Sequence, residues 1–508
     1  MVRRPWSVVR AVRGEWTTGR YWLLLAAFVL VHAGLAAALP VSGDEAYYWD
    51  CSRHPDWATY DQPPLMMVAP IPFRAVLGET RLAARGPAIL ASFLIGVFLL
   101  PLLRRLGGGP REAAWTYLVL HATPLFLFGS FYASTDVGMM AGYVGAAWAA
   151  VAIAQGERRA WWGFGIAIAL GFLAKFPAVL VLPALAPVLM RKQARADLRT
   201  PVPYAAGLLS FALTAPVWIW GAGHDWINLG FQLKDRQEVG PVTPVYLVEF
   251  IALAALLVSP PLAAAMAASW WRAWRRRDAA WNAVLVGAAV PFVFFGAVSL
   301  RESVSPHWGA PGVVLGAAVL ALAGPRPRRL VRWGAALGLT LSCAAVLLVL
   351  LAAPALQADW PVLGRPRGPF VDKLAAAVAN EVVVSEIERR LRPGELMASE
   401  SYTDVHLYAF LSKGRIPTRL ARINEGIHGL GSLYWYRPEE LRGKDVLFVT
   451  EREGLEPGLV AIFASVREEP PFEIRRGGRA VRRVLFFRCR DLIRPEGAFT
   501  RLRRAVAR

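Results

Sequence analysis

Long apolar runs, separated by short clusters of arginine, constrain the fold of this chain more than any other feature of its sequence. A helix of about 20 apolar residues spans a bilayer, because it satisfies all of its backbone hydrogen bonds internally. The runs lie near residues 21–40, 87–103, 113–131, 134–154, 161–174, 176–190, 203–222, 244–270, 279–299, 309–324 and 330–354. Hydropathy therefore predicts a polytopic α-helical membrane protein with roughly eleven transmembrane segments or more.

One apolar stretch contains a charged residue. Lys175 precedes Phe176 and Pro177, and proline disfavours helix at the residue before it. We therefore expect 161–190 to form a hairpin of two short helices that is broken at Lys175. A lysine inside an apolar hairpin needs a charged partner or a water-filled cavity, which favours a functional role for it.

The arginine clusters orient the predicted segments. They lie at 104–111, 158–159, 191–199, 272–277 and 326–332. If the N-terminus is inside, every cluster falls on the cytoplasmic side, as the positive-inside rule requires. This distribution accounts for the formal net charge of +20, so no nucleic-acid partner is expected. The opposite face, which in a bacterium is the periplasm, receives the loops 41–86, 223–243 and 300–308.

The chain changes character after the last apolar run. Residues 372–391 have helical periodicity, and the short runs 445–450 and 481–487 alternate as strands do. We expect a transmembrane domain over residues 1–355, with 41–86 as its first periplasmic loop, and a small soluble periplasmic α/β domain over residues 356–508. A stretch containing proline and glycine, 361–369, is predicted to link them.

Polar residues collect on the predicted outer face. In the first loop they are Asp44, Glu45, Tyr47, Tyr48, Asp61 and Gln62. Further along the chain they are Asp136, Lys175, His224, Lys234, Arg236, Arg301 and His307. Carboxylates and cations at one membrane face suit a substrate that carries a charged group next to a lipid, such as a phosphate on a polyprenyl chain.

Structural roles remain open for several of these residues. Asp44 and Glu45 could cap the first periplasmic helix, and Asp136 could belong to the N-cap of the next span, because acidic groups suit helix N-termini. His224 could be an interfacial residue beside Trp226. Cysteine and histidine spacing gives no metal motif. If a metal is held, the candidate ligands are Asp44, Glu45 and Asp61.

The order of these motifs resembles that of the GT-C glycosyltransferase superfamily. The resemblance is closest to the lipid A aminoarabinose transferases and core galacturonosyltransferases, and more distant to the protein O-mannosyltransferases. Asp44-Glu45, followed by aromatic residues, and Asp61-Gln62, followed by Pro-Pro-Leu, look like the first-loop elements of that family. Similar elements follow in the family's order at 133–136, 171–176, 216–232 and 306–308.

Two departures bear on the sugar. The aminoarabinose transferases commonly have arginine where this chain has Tyr47, and Glu-Lys where it has Asp61-Gln62. This pattern favours the galacturonosyltransferase-like branch and leaves the identity of the sugar open.

The resemblance implies an inverting glycosyltransferase in the bacterial inner membrane. Its donor would be a polyprenyl-phosphate-linked sugar, and its acceptor lipid A, core or another envelope glycan on the periplasmic face. Membrane lipids would surround it, and it would require no cofactor and no metal.

The resemblance also implies roles for individual residues. Asp44 would be the catalytic residue, acting as general base toward a hydroxyl acceptor or orienting an acceptor phosphate. Lys175, with Arg236, Lys234 or Arg301, would stabilise the charge on the departing lipid phosphate. The other candidates for substrate contact are Glu45, Tyr47, Tyr48, Asp61, Gln62, Asp136, His224 and His307.

Three other interpretations compete. A transporter or flippase of lipid-linked sugars would show broken helices in two related halves and polar residues on both faces, whereas this sequence has no internal repeat. A protein O-mannosyltransferase would use the same donor chemistry with a protein acceptor. A scaffold whose C-terminal domain recruits partners would leave the first-loop motif unexplained. The C-terminal domain itself either binds the acceptor or braces the loops.

Overall fold

In the part of the chain that the structure describes, helices fill the first two thirds and the strands follow them. The computed structural model describes residues 16–235, 240–276, 278–324, 328–357, 379–423, 429–476 and 479–500. The helices before the Lys175 break are α1 (Thr18–Ala38), α2 (Gly43–Cys51), α3 (Leu65–Val68), α4 (Pro70–Leu77), α5 (Arg81–Arg105), α6 (Pro110–His121), α7 (Pro124–Gly129), α8 (Thr135–Ala154) and α9 (Ala160–Ala174). They continue as α10 (Leu185–Leu189), α11 (Lys192–Asp197), α12 (Val202–Leu213), α13 (Ala215–Gly223), α14 (Ile227–Gly230), α15 (Val245–Val258), α16 (Pro260–Trp274), α17 (Ala279–Val298), α18 (Ala310–Ala323) and α19 (Arg328–Gln357).

The predicted multi-pass helical membrane protein is confirmed. Among the described residues, six helices are long and apolar enough to cross a membrane, or up to eight spans if each bent pair counts as one. The bent pairs are α12 with α13, at 49°, and α15 with α16, at 101°. The predicted number of about eleven is not reached by this criterion, because apolar helices such as α9 are too short to cross alone.

The predicted break at Lys175 is present. Helix α9 ends at Ala174, Lys175 is extended at φ −159° and ψ 133°, and a 3-10 segment, Phe176–Ala184, follows. Helices α8 and α9 are in backbone contact, because a Cβ on Gly142 would lie 2.6 Å from the Cα of Gly171. Small residues allow such close approach between membrane helices. This contact brings the start of α8 beside the end of α9, where Lys175 lies.

Helix α2 of the first loop is fixed by a buried ion pair. The N-cap Ser42 and Glu45 form a capping box, in which each side chain accepts from the other's backbone N–H. Both Glu45 oxygens also accept from Arg85 on α5, at 2.7 and 2.8 Å. The Arg85 guanidinium donates in addition to the carbonyls of Ala36 and Leu39 at the end of α1. One pair therefore joins α1, α2 and α5.

The predicted small α/β domain is confirmed, and its described residues form a five-stranded sheet with three helices. The strands are β1 (Leu396–Ser399), β2 (Thr418–Leu420), β3 (Val446–Thr450), β4 (Phe463–Arg476) and β5 (Arg479–Leu492), in the order β2-β1-β3-β5-β4. β1 is parallel to β2 and β3, whereas β5 is antiparallel to β3 and β4. The helices are α20 (Asn380–Arg390), α21 (Tyr402–Leu411) and α22 (Glu456–Val460).

The domain division at 355/356 stays a prediction. It falls at the end of α19, and both the predicted linker 361–369 and the start of the predicted helix 372–391 lie outside the described residues. The rest of that helix corresponds to α20.

We predict that Arg85→Met lowers the free energy of unfolding by about 3–5 kcal/mol, because Glu45 would be left as a buried, unpaired charge. Both side chains are at most 2% exposed. Chemical unfolding of the detergent-solubilised protein measures this change. Arg81→Met is the matched control, since Arg81 pairs with Glu381, whose side chain is 69% exposed, and such a pair contributes about 1 kcal/mol or less. Equal effects of the two variants would contradict the prediction.

Candidate active site

A cavity of about 670 Å³ lies where the first loop, the start of α8, the Lys175 break and α21 meet. This volume is within the range of small-molecule sites. Eight of the predicted site residues line it: Asp44, Tyr47, Tyr48, Asp61, Gln62, Asp136, Lys175 and His307. The structure therefore brings together residues that are up to 263 positions apart in the chain, from Asp44 to His307.

One side of the cavity is built around the ion pair of Asp136 and Lys175. The Lys175 ammonium donates to Asp136 Oδ1 at 2.7 Å, and His307 Nε2 lies 3.7 Å from Asp136 Oδ2. Ser134 is the N-cap of α8, its hydroxyl accepting from the backbone N–H of Asp136. The carboxylate of Asp136 thus does not cap the helix but holds the ammonium, which also lies 5.5 Å from the ring centre of Trp308.

A tyrosine–carboxylate pair forms another wall. The Tyr47 hydroxyl donates to Asp61 Oδ1 at 2.8 Å, and the Thr59 hydroxyl donates to the same oxygen at 2.9 Å. Gln232 donates its side-chain amide to the Asp61 carbonyl at 2.7 Å. Burial, followed by the charge of Asp61, holds the pKa of Tyr47 well above its usual value. Tyr47 is therefore a fixed hydrogen-bond donor across the working pH range.

The two acidic residues at the start of α2 have different environments. Glu45 is fully buried against Arg85, whereas Asp44 is exposed toward the cavity. Asp44 Oδ1 accepts a hydrogen bond of 2.8 Å from the Tyr402 hydroxyl. The capping role considered for both acids belongs to Glu45, together with Ser42.

Three predicted residues are not brought to the cavity. Glu45 is bonded to Arg85, and Arg301 is exposed outside the lining. His224 stacks on Trp220 with ring centres 4.0 Å apart, and its Nδ1 is 2.8 Å from the Trp220 carbonyl. Trp220 in turn donates to Asp56 of the first loop at 2.9 Å, so His224 is a packing residue. Arg236 and the side chain of Lys234 lie outside the described residues.

Other cavity residues were missed by the sequence analysis. Tyr132 lines the cavity, and its hydroxyl is 2.8 Å from the Ser42 hydroxyl. Tyr402 lies 358 positions from Asp44, so no local pattern could have identified it.

Within the described ranges, no group of three or more histidine, cysteine or acidic residues is arranged to hold a metal ion. Glu45, one of the three proposed metal ligands, is bonded to Arg85.

Comparisons with known proteins agree with this architecture. Residues 61–220 match the sequence profile of the family described as dolichyl-phosphate-mannose-protein mannosyltransferase. No curated protein gave a significant sequence match. The crystal structure of ArnT from Cupriavidus metallidurans in the apo state is 16% identical, with a TM-score of 0.66 over 92% of this chain and 98% of that chain. The structure of ArnT from the same organism bound to undecaprenyl phosphate is also 16% identical, with the same TM-score over 93% and 98%.

The fold, the cavity and the profile match define the class of the chain: it is a multi-pass membrane glycosyltransferase. The resemblance noted from its motifs is confirmed. Residues 61–220 match a family profile of the GT-C glycosyltransferases, and the chain shares the fold of ArnT.

We predict that Lys175→Met lowers the rate of sugar transfer about a hundredfold or more, because a preorganised cation in the cavity is lost. Arg301→Ala should stay within about twofold of wild type, because Arg301 does not line the cavity. Transfer is measured by mass spectrometry of envelope glycolipids from a deletion strain that carries each variant at equal expression. Equal losses of transfer rate for the two variants would contradict the prediction, because only Lys175 lines the cavity.

Proposed function

We propose that this protein is an inverting glycosyltransferase that passes a sugar from a polyprenyl phosphate to an acceptor on the periplasmic face of the inner membrane. The acceptor would be lipid A, core or another envelope glycan. The observation that carries the proposal is a single cavity lined both by the carboxylate Asp44 and by the buried ammonium of Lys175. The family profile and the ArnT structure with undecaprenyl phosphate support a polyprenyl-linked donor.

The donor phosphate would lie near Lys175 and His307. Because Asp136 holds Lys175 in place before substrate arrives, the positive charge would need little reorganisation as negative charge builds on the leaving phosphate. Apolar side chains share the cavity with these residues, including Val137, Met140 and Leu257. They would accept the first part of the lipid chain beside the phosphate.

The acceptor would approach Asp44. Its oxygen would attack the anomeric carbon from the side opposite the lipid phosphate, so the configuration inverts. The bond from that carbon to the phosphate oxygen would break, its electron pair remaining on the polyprenyl phosphate. With a hydroxyl acceptor, the proton would pass to Asp44 as general base. With a phosphate acceptor, already anionic, Asp44 would only orient it.

The sugar would be held between these two ends. Tyr47 and Asp61 are bonded to each other, and Tyr48 and Gln62 also line the cavity. Burial, followed by the charges of Asp61 and Asp136, raises the pKa of Tyr48 well above its usual value. Tyr48 would therefore stay neutral and could donate to a sugar hydroxyl, whereas the Tyr47 hydroxyl, which donates to Asp61, would accept a hydrogen bond from one.

The charges at the ends of the helices support the proposed sidedness. Helix α5 begins next to the first loop and ends at Arg104-Arg105, and α16 carries Arg272 in its last turn. These basic ends suit the cytoplasmic face, which would leave the cavity on the periplasmic face.

A protein acceptor is the second candidate, because the matched profile is that of a protein mannosyltransferase family. A serine or threonine hydroxyl would use Asp44 as a base in the same way. A protein bearing the sugar, in place of a modified glycolipid, would identify this alternative.

We predict that Asp44→Asn lowers transfer about a hundredfold or more, because the amide cannot accept the acceptor's proton. Mass spectrometry of glycolipids and envelope glycans from the deletion strain, with and without each variant, measures the transferred sugar and identifies it.

Asp225→Asn is the matched control. Asp225 is exposed, lies outside the cavity lining and has φ +54°, a backbone conformation that asparagine also adopts. If Asp44→Asn restores every species that the deletion loses, Asp44 is structural and the proposed mechanism is wrong.

A further inference from the structure

The C-terminal domain contacts the first loop through an unusually close pair of helix ends. Gly43 is the first residue of α2, and Thr403 lies in the first turn of α21. A Cβ on Gly43 would lie 2.4 Å from the Cβ of Thr403, a distance at which something must shift. Glycine at this position therefore allows the starts of α2 and α21 to meet without an intervening side chain.

Tyr402 reaches the cavity from this contact. It is the first residue of α21, and its hydroxyl donates to Asp44 Oδ1 at 2.8 Å. Its ring meets Tyr47 edge-on, with centroids 6.1 Å apart at 82°. On the other side is Gly429, at φ +69°, where a Cβ would lie 2.2 Å from the Tyr402 ring. Tyr402 and Gly429 both line the cavity. The Tyr402 ring therefore packs against Tyr47 and Gly429 at the cavity wall.

Two further contacts fix how α21 lies on α2. His406 Nδ1 is 2.8 Å from Asp50 Oδ2, and both side chains are buried. Burial opposes the charge on Asp50, but the hydrogen bond and charge of His406 hold the pKa of that carboxyl below its usual value. One turn further along, Phe410 meets Trp49 edge-on at 5.1 Å. The position of Tyr402 is thus set by a packed interface rather than by one flexible side chain.

We propose that the C-terminal domain completes the active site, and that Tyr402 is a positioning residue that acts through Asp44. This inference rests on the proposed function of Asp44. Burial, followed by the charge of Asp44, raises the pKa of Tyr402, so its hydroxyl stays protonated and can only donate to the carboxylate. With Oδ1 engaged by Tyr402, the Asp44 side chain is held in one orientation. Oδ2 is then directed to the acceptor nucleophile.

The test is Tyr402→Phe in the full-length protein, which removes the hydroxyl and keeps the ring. Total envelope lipids from the deletion strain are supplied at graded concentrations in mixed micelles, and product is measured by mass spectrometry. We expect the saturating rate to fall about tenfold to a hundredfold, the range for loss of a hydrogen bond to a charged group. The half-saturating lipid concentration should change less than about twofold, since Tyr402 would act on the nucleophile's partner and not on lipid binding.

Tyr436→Phe is the matched control, because it removes a hydroxyl of the same domain whose bond to the Leu420 carbonyl lies away from the cavity lining. It should leave the saturating rate unchanged. In the Asp44→Asn background, Tyr402→Phe should cause little further loss, because residues that act as a unit are not additive.

Normal kinetics of Tyr402→Phe, together with an inactive Asp44→Asn, would overturn this inference and leave the proposed function intact. An active Asp44→Asn would overturn both. If Tyr402→Phe does not accumulate as folded protein, Gly43→Ala is the second test of the inference. This substitution separates α21 from α2 without altering Tyr402 or Asp44, the two partners of the hydrogen bond. A wild-type rate for folded Gly43→Ala would then refute the inference, and a loss of at least about tenfold would support it.

Discussion

The ion pair of Glu45 and Arg85 is the interaction on which the site depends. It joins the end of α1, the start of α2 and α5, and Glu45 Oε1 also accepts from the backbone N–H of Ala133, just before α8. A buried charge pair is tolerated only when its remaining donors and acceptors are satisfied. Here the carbonyls of Ala36 and Leu39 satisfy the guanidinium. Helices α1, α2 and α5 and the segment before α8 therefore share one polar centre.

The position of Asp44 follows from that pair. Successive residues of a helix point about 100° apart, so once Glu45 is held against Arg85, Asp44 has to face another way. In α2 that direction is the cavity. Two adjacent carboxylates thus separate into Glu45, which fixes the helix, and Asp44, the proposed base, which the helix presents to the cavity. Neither role could be exchanged without moving α2.

The sequence predicted the parts of the structure that depend on local chemistry. Apolar runs predicted the membrane helices, and Pro177 predicted the break after α9. The isolated charge of Lys175 predicted a partner or a cavity, and the structure provides both, Asp136 and the cavity that Lys175 lines. Burial of Glu45 was not predictable, because its partner is 40 residues away and depends on how α2 lies on α5. His224 is a site candidate from the sequence because it lies on the predicted outer face and within the family-like element 216–232, with an interfacial role beside Trp226 left open. Its stacking on Trp220 is visible only in three dimensions.

The residues at both ends of the cavity are positioned by close contacts between helices at glycine. At one end, the contact between Gly142 and Gly171 brings α8 against α9 and places Asp136 beside Lys175. At the other, Gly43 lets α21 reach α2 and places Tyr402 on Asp44. Each charged group is thus held by a partner on a second element, and each pair of elements is brought together where a Cβ would not fit. The electrostatic field of the site is therefore set by backbone packing, which needs little reorganisation during reaction.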